Sequence, residues 1–386
     1  MSLSASNLQW GGKVRLEDRQ FKAWAVLRLI KLAITAKKLN LSMALTNNID
    51  SFVKTDNTLA WDGHTKPFYE VYYLKINEPE LNWSLSLRYT LCTSSDFSGG
   101  IATLWGIYVD KDGQKLSLKQ SFDLQKNEIV HTNQFINIGN SFLSLAEACG
   151  SIKEGSQGIS WELNFEDPVL SSRSFSNELL YKWRYPPLKF TQPRQLGFAS
   201  GAVFINGIKK ELKRFRIHQG HFFGHSLHKQ WAWANCIEFK EDSEAYFDGL
   251  SLHAPFGKWY RPTINLFNIG MGGEHYHMNS IPKMLWSNRS HYNSFTWEAI
   301  CKLRDTKFEC HIDRNQEQTA FFEFTGPNNE KRYCYHGLMG NIRIKVFRKS
   351  KAGWKFYKLL SSTGKCSFET VLSGLDEDFL TAPIKE

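Results

Sequence analysis

The sequence predicts an all-β protein: two consecutive antiparallel β-barrel or sandwich domains behind an N-terminal amphipathic helix. Three observations lead there. Aromatic residues make up 14% of the 386 residues, with 28 Phe, 14 Tyr and 13 Trp, and flat rings pack well on pleated surfaces. Apolar and polar residues alternate with period two over Trp83 to Leu91, where Trp83, Leu85 and Leu87 exchange with Ser84, Ser86 and Arg88; that is the pattern of a strand with one buried face. Turn signals recur at short intervals, clearest at Asp112-Gly113, a spacing that suits a sandwich or barrel rather than βαβ units.

Taken in order, residues 1–57 form a helical extension. Phe21 to Leu45 lacks Gly and Pro and is rich in Ala, Leu and Lys, which favours helix. Arg28, Lys31, Thr35 and Lys38 fall on one polar stripe, beside apolar Leu27, Leu29, Ile30, Leu32, Ala33 and Ile34. Such a helix either packs on its own protein or lies on an anionic membrane. The first β domain is placed at 58–190, with strands from Val71 to Ile76, Trp83 to Leu91, Ile101 to Val109, Lys115 to Phe122, Ile129 to Ile138, Ser141 to Ala146 and Gly158 to Phe165. Pro186-Pro187 and Pro193 mark a break between Asp167 and Ala199. The second domain is placed at 191–375, with strands beginning at Ala202, Glu211, Gln230, Trp259, Ser294, Phe308, Thr319 and Gly340, followed by a polar tail, 376–386. A chain of this length holds about two domains at roughly 100–200 residues each. No strict sequence repeat is visible.

The net charge is +10, distributed mostly as scattered residues with short clusters such as Lys209-Lys210 and Lys349 to Lys351. No nucleic-acid signature accompanies it, so nucleic acid is not expected as a partner. Seven cysteines without a CxxC pair argue against a disulfide framework and fit reduced thiols in the cytoplasm. No segment approaches the ~20 apolar residues of a membrane span, and the apolar run from Ala23 to Leu27 is cut by Arg28 and Lys31, unlike a signal peptide. A cytoplasmic protein follows, with peripheral membrane contact through the helix as the further expectation.

Chemistry concentrates in His218-Gln219-Gly220-His221-Phe222-Phe223-Gly224 and in Trp231-Ala232-Trp233-Ala234-Asn235-Cys236. Imidazoles among large rings make an apolar pocket with a few polar handles, suited to holding or protonating a greasy ligand. The spacing of His218, His221, His225 and His228, and of His275 with His277, invites a metal. On a strand, however, His218 and His221 point to opposite faces, and no carboxylate stands nearby at ligand spacing. No metal and no cofactor are therefore expected. Neither a phosphate loop, a Gly-x-Ser-x-Gly elbow nor HExxH is present.

The order Gly220-His221-x-x-Gly224, a short gap, then Trp231-Ala-Trp233-Ala-x-Cys236 resembles the lipocalin-like AttH/CrtC family, which includes tocopherol-cyclase-like proteins. Trp61-Asp62-Gly63, Tyr72-Tyr73-Leu74-Lys75, Leu87 to Leu91, Leu104-Trp105-Gly106, Ser200-Gly201, Ile205-Asn206-Gly207 and Tyr333-Cys334 resemble family positions in order, over roughly residues 58–370. The resemblance implies two lipocalin-like domains with a pocket near their junction, a hydrophobic isoprenoid- or polyketide-derived ligand, and the chemistry of a cofactor-free hydratase or cyclase; a non-catalytic carrier is the alternative. It assigns His221 as the catalytic candidate and His218, Gly220, Gly224, Trp231, Trp233, Arg88, Trp105 and His336 as ligand-binding. Phe222 and Phe223 stand where the family usually has a polar residue and Trp, and Gly220 where some catalytic members have an acid.

Overall fold

The computed structural model describes residues 56–376, apart from 79–81, 96–98, 125–133, 167–169, 176–178, 183–185, 254–262 and 281–282. The expected helix from Phe21 to Leu45 and the tail beyond Asp376 lie outside the described residues. What is described is almost entirely antiparallel strand. The first sheet contains β1 (Phe68–Glu78), β2 (Trp83–Thr93), β3 (Gly100–Asp110), β4 (Lys115–Asp123), β5 (Gln134–Ile138), β6 (Ser141–Ser144), β7 (Glu147–Glu154), β8 (Gln157–Phe165), β9 (Leu170–Arg173), β10 (Leu188–Ile205) and β11 (Ile208–Gly224). The second contains β12 (Trp231–Cys236), β13 (Tyr246–His253), β14 (Thr263–Met271), β15 (Glu274–His277), β16 (Arg289–Tyr292), β17 (Thr296–Lys302), β18 (Thr306–Asp313), β19 (Thr319–Thr325), β20 (Lys331–Ser350) and β21 (Gly353–Leu372).

The strand order is β4-β3-β2-β1-β11-β10-β8-β7-β6-β5 in the first sheet and β15-β14-β13-β12-β21-β20-β18-β17-β16 in the second. These are one topology used twice. A four-strand meander pairs its first strand with the last strand of a long hairpin, and that hairpin also carries a short side strand, β9 on β10 or β19 on β20. The repeat is therefore in the connectivity, where a residue-by-residue match is not needed. The passage between sheets falls between Gly224 and Trp231, later than the 167–199 break that the prolines suggest. Pro186 and Pro187 sit ahead of β10, and β10–β11 turns back into the first sheet, β11 beside β1 and β10 beside β8.

Each sheet coils around its own core. In the first, Leu74, Leu85, Leu87 and Leu104 meet Ile136, Ile159 and Leu163 from the later strands. Trp161 Nε1 donates to Tyr89 Oη at 3.0 Å and Tyr89 Oη donates to the Phe142 carbonyl at 3.1 Å, tying the two walls together. In the second, Trp297 packs on Phe247, Phe267 and Phe368. All seven cysteines are free thiols.

A third apolar cluster lies between the sheets. It joins Val71, Trp105 and Ile107 from the first to Trp231, Leu250, Phe322 and Phe324 from the second. This seam changes the meaning of the alternation in β2. Its polar half, expected to face water, is buried as well: Ser84 is 1% exposed, Ser86 3% and Thr90 7%. Those positions face the other sheet, which is why polar residues there find partners rather than solvent. Six strands escape the sequence reading, β7, β9, β13, β15, β16 and β21. Asp248-Gly249 inside β13 and Ser361 to Lys365 inside β21 look like turns, but the first is an internal ladder pair and the second a bulge with Gly364 at φ +68°.

The seam predicts that the two halves stay together without their link. Cutting an engineered protease site placed after Lys229 should leave both fragments co-eluting on gel filtration in native buffer; separate elution would contradict it.

Candidate functional site

Polar groups in the seam come from strands whose register brings them opposite one another. Arg88 on β2 pairs with Tyr73 and Trp105 on its neighbours. Glu369 on β21 pairs with Trp233 and His336. Across the seam the Arg88 guanidinium binds the Glu369 carboxylate. Glu369 also accepts from His336 Nδ1–H at 2.8 Å and from Trp231 Nε1–H at 3.1 Å. Burial alone would raise the Glu369 carboxyl; the Arg88 charge and the His336 hydrogen bond outweigh it and hold it well below the usual carboxylate range. Burial, reinforced by the Arg88 charge, lowers His336 to about 4, so its ring is neutral. With Nδ1–H given to Glu369, the Nε2 lone pair is buried without a hydrogen-bond partner among the described residues. Cys334, His336 and Glu369 also offer ligand atoms within 4.8 Å of one another. Two of these three donors already face the Arg88 cation, which a divalent ion would have to displace.

A second group lies beside this one. His218 Nδ1 is 3.2 Å from the Gln195 carbonyl; a carbonyl only accepts, so Nδ1 carries the proton. The Nε2 lone pair then faces the Tyr73 hydroxyl at 3.5 Å, which donates. Burial drives His218 down to about 3 and Tyr73 well above the ordinary phenol value, so both are neutral. Trp233 Nε1 donates to Asp248 Oδ1 at 3.0 Å and Gln192 Nε2 to Oδ2 at 3.1 Å. Burial nonetheless raises Asp248 to about 7. Lys75, 2% exposed, donates to the carbonyls of Asn235 at 2.7 Å and Lys365 at 3.1 Å, and burial lowers its ammonium.

Two small cavities open among these residues. One of about 40 Å³ is lined by Tyr73, Arg88, Phe190, His228, Trp233 and Leu250, among others. The other, about 20 Å³, lies against Val71, Thr90, Trp105, Phe322 and Phe324. Phe222, Trp231, Arg88 and Glu369 border both. Trp105 stacks on Phe322 at 5.0 Å.

Of the residues the sequence singles out, Arg88, Trp105, His218, Trp231, Trp233 and His336 thus share the seam. His221 does not. It pairs with Tyr72 on the opposite face of β11 and stacks on that ring at 4.0 Å inside the first barrel. Its Nδ1 lies 2.6 Å from the Asp56 carbonyl and its Nε2 2.8 Å from Glu70 Oε1. Glu70 in turn accepts the backbone N–H groups of Ala60 at 2.7 Å and Trp61 at 2.9 Å. His221 is three positions on from His218, which on a strand means the opposite face. Gly220 is where the seam needs no side chain, since a Cβ there would come 2.1 Å from the Tyr73 ring. At Gly224 a Cβ would sit 1.9 Å from the Pro187 carbonyl oxygen, so its role is close backbone approach. His275 bonds Tyr246, and His277 bonds Asn268. Tyr73, Asp248 and Glu369 are absent from the sequence-based set. Tyr73 sits in an aromatic run without a distinguishing neighbour, and the other two lie on the strands that escape the reading.

In sequence the chain matches no family model and no curated protein. In structure it is similar to a candidate AttH from Nitrosomonas europaea, with TM-score 0.51, 8% identity, and 86% of this chain and 98% of that one covered. It is likewise similar to CghA crystallised with Sch210972, at TM-score 0.50 and 7% identity, covering 80% of this chain and 90% of the other. Kievitone hydratase from Nectria haematococca aligns at TM-score 0.46 and 10% identity, over 79% and 88%. The first two share the fold of two consecutive lipocalin-like halves.

Two outcomes follow from the site's hydrogen bonds. Asp248 is raised above its unfolded value of 3.8, so between about pH 4 and 7 the unfolded chain has released a proton that the folded chain keeps. The stability this lends is full below pH 4 and is lost as pH rises through 7. Asp248→Asn should flatten that decline, by roughly 2–4 kcal/mol between pH 4.5 and 8 in chemical denaturation. Glu70→Gln should speed amide exchange at Ala60 and Trp61 with the remaining strands still protected; exchange unchanged there would remove Glu70 as the anchor of 56–61.

Proposed function

We propose that this protein binds a hydrophobic isoprenoid- or polyketide-derived small molecule in the seam and acts on it as a cofactor-free hydratase or cyclase. The carrying observation is the neutral Tyr73 hydroxyl, backed by His218, on the wall of a largely apolar cavity that Arg88 and Glu369 also line. In this reading the Tyr73 hydroxyl gives a proton to the substrate. The Tyr73 phenolate takes a proton back from the cationic intermediate or from the water that adds to it, while His218 Nε2, whose lone pair accepts from the Tyr73 O–H, holds that hydroxyl in place. Arg88, whose Nε–H is buried without a hydrogen-bond partner among the described residues, orients the substrate's oxygen, and the rings exclude water and hold a folded chain in one shape. Ligand pockets measure about 300–1,000 Å³, so the two cavities fuse on binding, with Phe222 and Trp231 moving apart.

A carrier without chemistry is the second reading. One observation favours it: the seam's strongest acid, Glu369, is fully committed to Arg88, His336 and Trp231, and so cannot protonate a ligand.

Solvent extraction of freshly purified protein with mass spectrometry tests the ligand class, and Tyr73→Phe separates the readings. A specific apolar metabolite should co-purify. For an enzyme, Tyr73→Phe keeps that ligand bound but lowers turnover by about 10²-fold or more. Undiminished turnover would remove Tyr73 as the acid, absence of turnover in both proteins would leave only the carrier, and no co-purifying or added apolar ligand bound by either protein would end the proposal.

A further inference from the structure

The chain's positive charge is concentrated in space. Residues 342–368 hold eight Lys and Arg and no Asp or Glu, which leaves +2 of the net +10 for the other 359 residues. This segment is the outer part of β20–β21, and it is an edge: β12 covers β21 only from Ser367 onward. Lysines along a free edge discourage pairing with another strand. They do not account for the apolar side chains among them. Phe356 is 60% exposed, Tyr357 58% and Leu359 36%, three of the eight large hydrophobic residues exposed among the described residues.

Register places part of this set on a common face; Lys355, opposite Arg348, and Tyr357, packed under the Arg348 guanidinium, belong to the other, where Arg348 is paired with Glu274. Phe347 pairs with Phe356, Lys349 with Trp354 and Lys345 with Leu359. Lys345 continues across the sheet to Glu309 and then to exposed Ile300. Beside this row the outer face hollows into a groove of about 680 Å³ that includes Arg289, Arg343 and Lys345. Its carboxylates are already engaged, Glu309 with Lys307 at 2.7 Å and Glu298 with His311 at 3.5 Å. The three cations have no carboxylate partner among the described residues.

We propose that this outer face of β20–β21, with its groove, docks on an anionic lipid bilayer. The chemistry of the two surfaces is complementary. Aromatic rings settle at headgroup depth, Lys and Arg stems reach along apolar surface to place their charges among phosphates, and anionic lipids attract the segment. The unpaired groove cations are placed to receive headgroups. A nucleic acid would also use cations and rings, and the test separates it.

The experiment is vesicle flotation of the full chain. The wild type should float with phosphatidylcholine–phosphatidylserine vesicles, far less with phosphatidylcholine alone, and less at raised salt. Each basic residue near such a surface contributes about fivefold in partitioning. Lys345→Gln, Lys349→Gln and Lys351→Gln together should therefore lower binding on the order of 100-fold. Phe356→Ser with Leu359→Ser should lower it about tenfold or more. All five side chains are exposed, and an unchanged melting temperature establishes that the variants fold. Residues 1–55 are present throughout, so flotation equal in wild type and variants overturns the proposal. It is also overturned by a wild type that does not float, or by one that binds single-stranded DNA more tightly than vesicles and loses that binding in the same variants.

Discussion

The Arg88–Glu369 ion pair spans the seam and sets the state of the groups around it. A lone charge buried there would cost several kcal/mol, so neither half can present its partner's surface alone. The carboxylate gathers Trp231 and His336, and burial, with the Arg88 charge beside it, keeps His336 neutral. Around it the seam is apolar, which pushes Asp248, Tyr73, His218 and Lys75 toward their uncharged forms. One paired charge and a set of neutral hydrogen-bonding groups is an environment for an apolar guest with a single oxygen to orient.

The other buried pair serves a different purpose. Glu70 and His221 close the end of the first barrel by holding residues 56–61 through backbone groups. The Nε2–Oε1 contact there requires a second proton, because Asp56's carbonyl takes the first. Glu369–His336 and Glu70–His221 are each a carboxylate with an imidazole, yet the first, on β21 and β20, faces the neighbouring sheet and the second, on β1 and β11, its own core.

The architecture is legible in the sequence because period-two alternation is a local property. The strands β1 to β4 and the hairpin at Asp112-Gly113 follow from it directly. What alternation cannot tell is whether the second face meets water or protein. Ser84, Ser86, Arg88 and Thr90 read as a wet face and form a dry one, since a partner some 280 residues away decides it. The same limit explains His221, whose glycine-flanked surroundings look like a pocket lip and prove to be a barrel interior. The resemblance by motif order located Arg88, Trp105, Trp231, Trp233 and His336, which converge. Glu369, on which three of their contacts depend, lies in Ser367-Phe368-Glu369-Thr370-Val371, where consecutive Glu369 and Thr370 break the alternation and the turn-like Ser361 to Lys365 precedes it.

The reach of Lys75 has a consequence for synthesis. Its ammonium is satisfied by carbonyls at Asn235 and Lys365, and Arg88 by Glu369, partners 160, 290 and 281 residues later. At about 5–20 residues per second on the ribosome, the last of these emerges about 15–60 s after the strands that need them. Throughout that interval the first barrel can close around its own core while its outer face stays hydrated, its two cations solvated by water. The seam is thus made dry only as β21 arrives, and the site is completed by the strand that closes the second sheet.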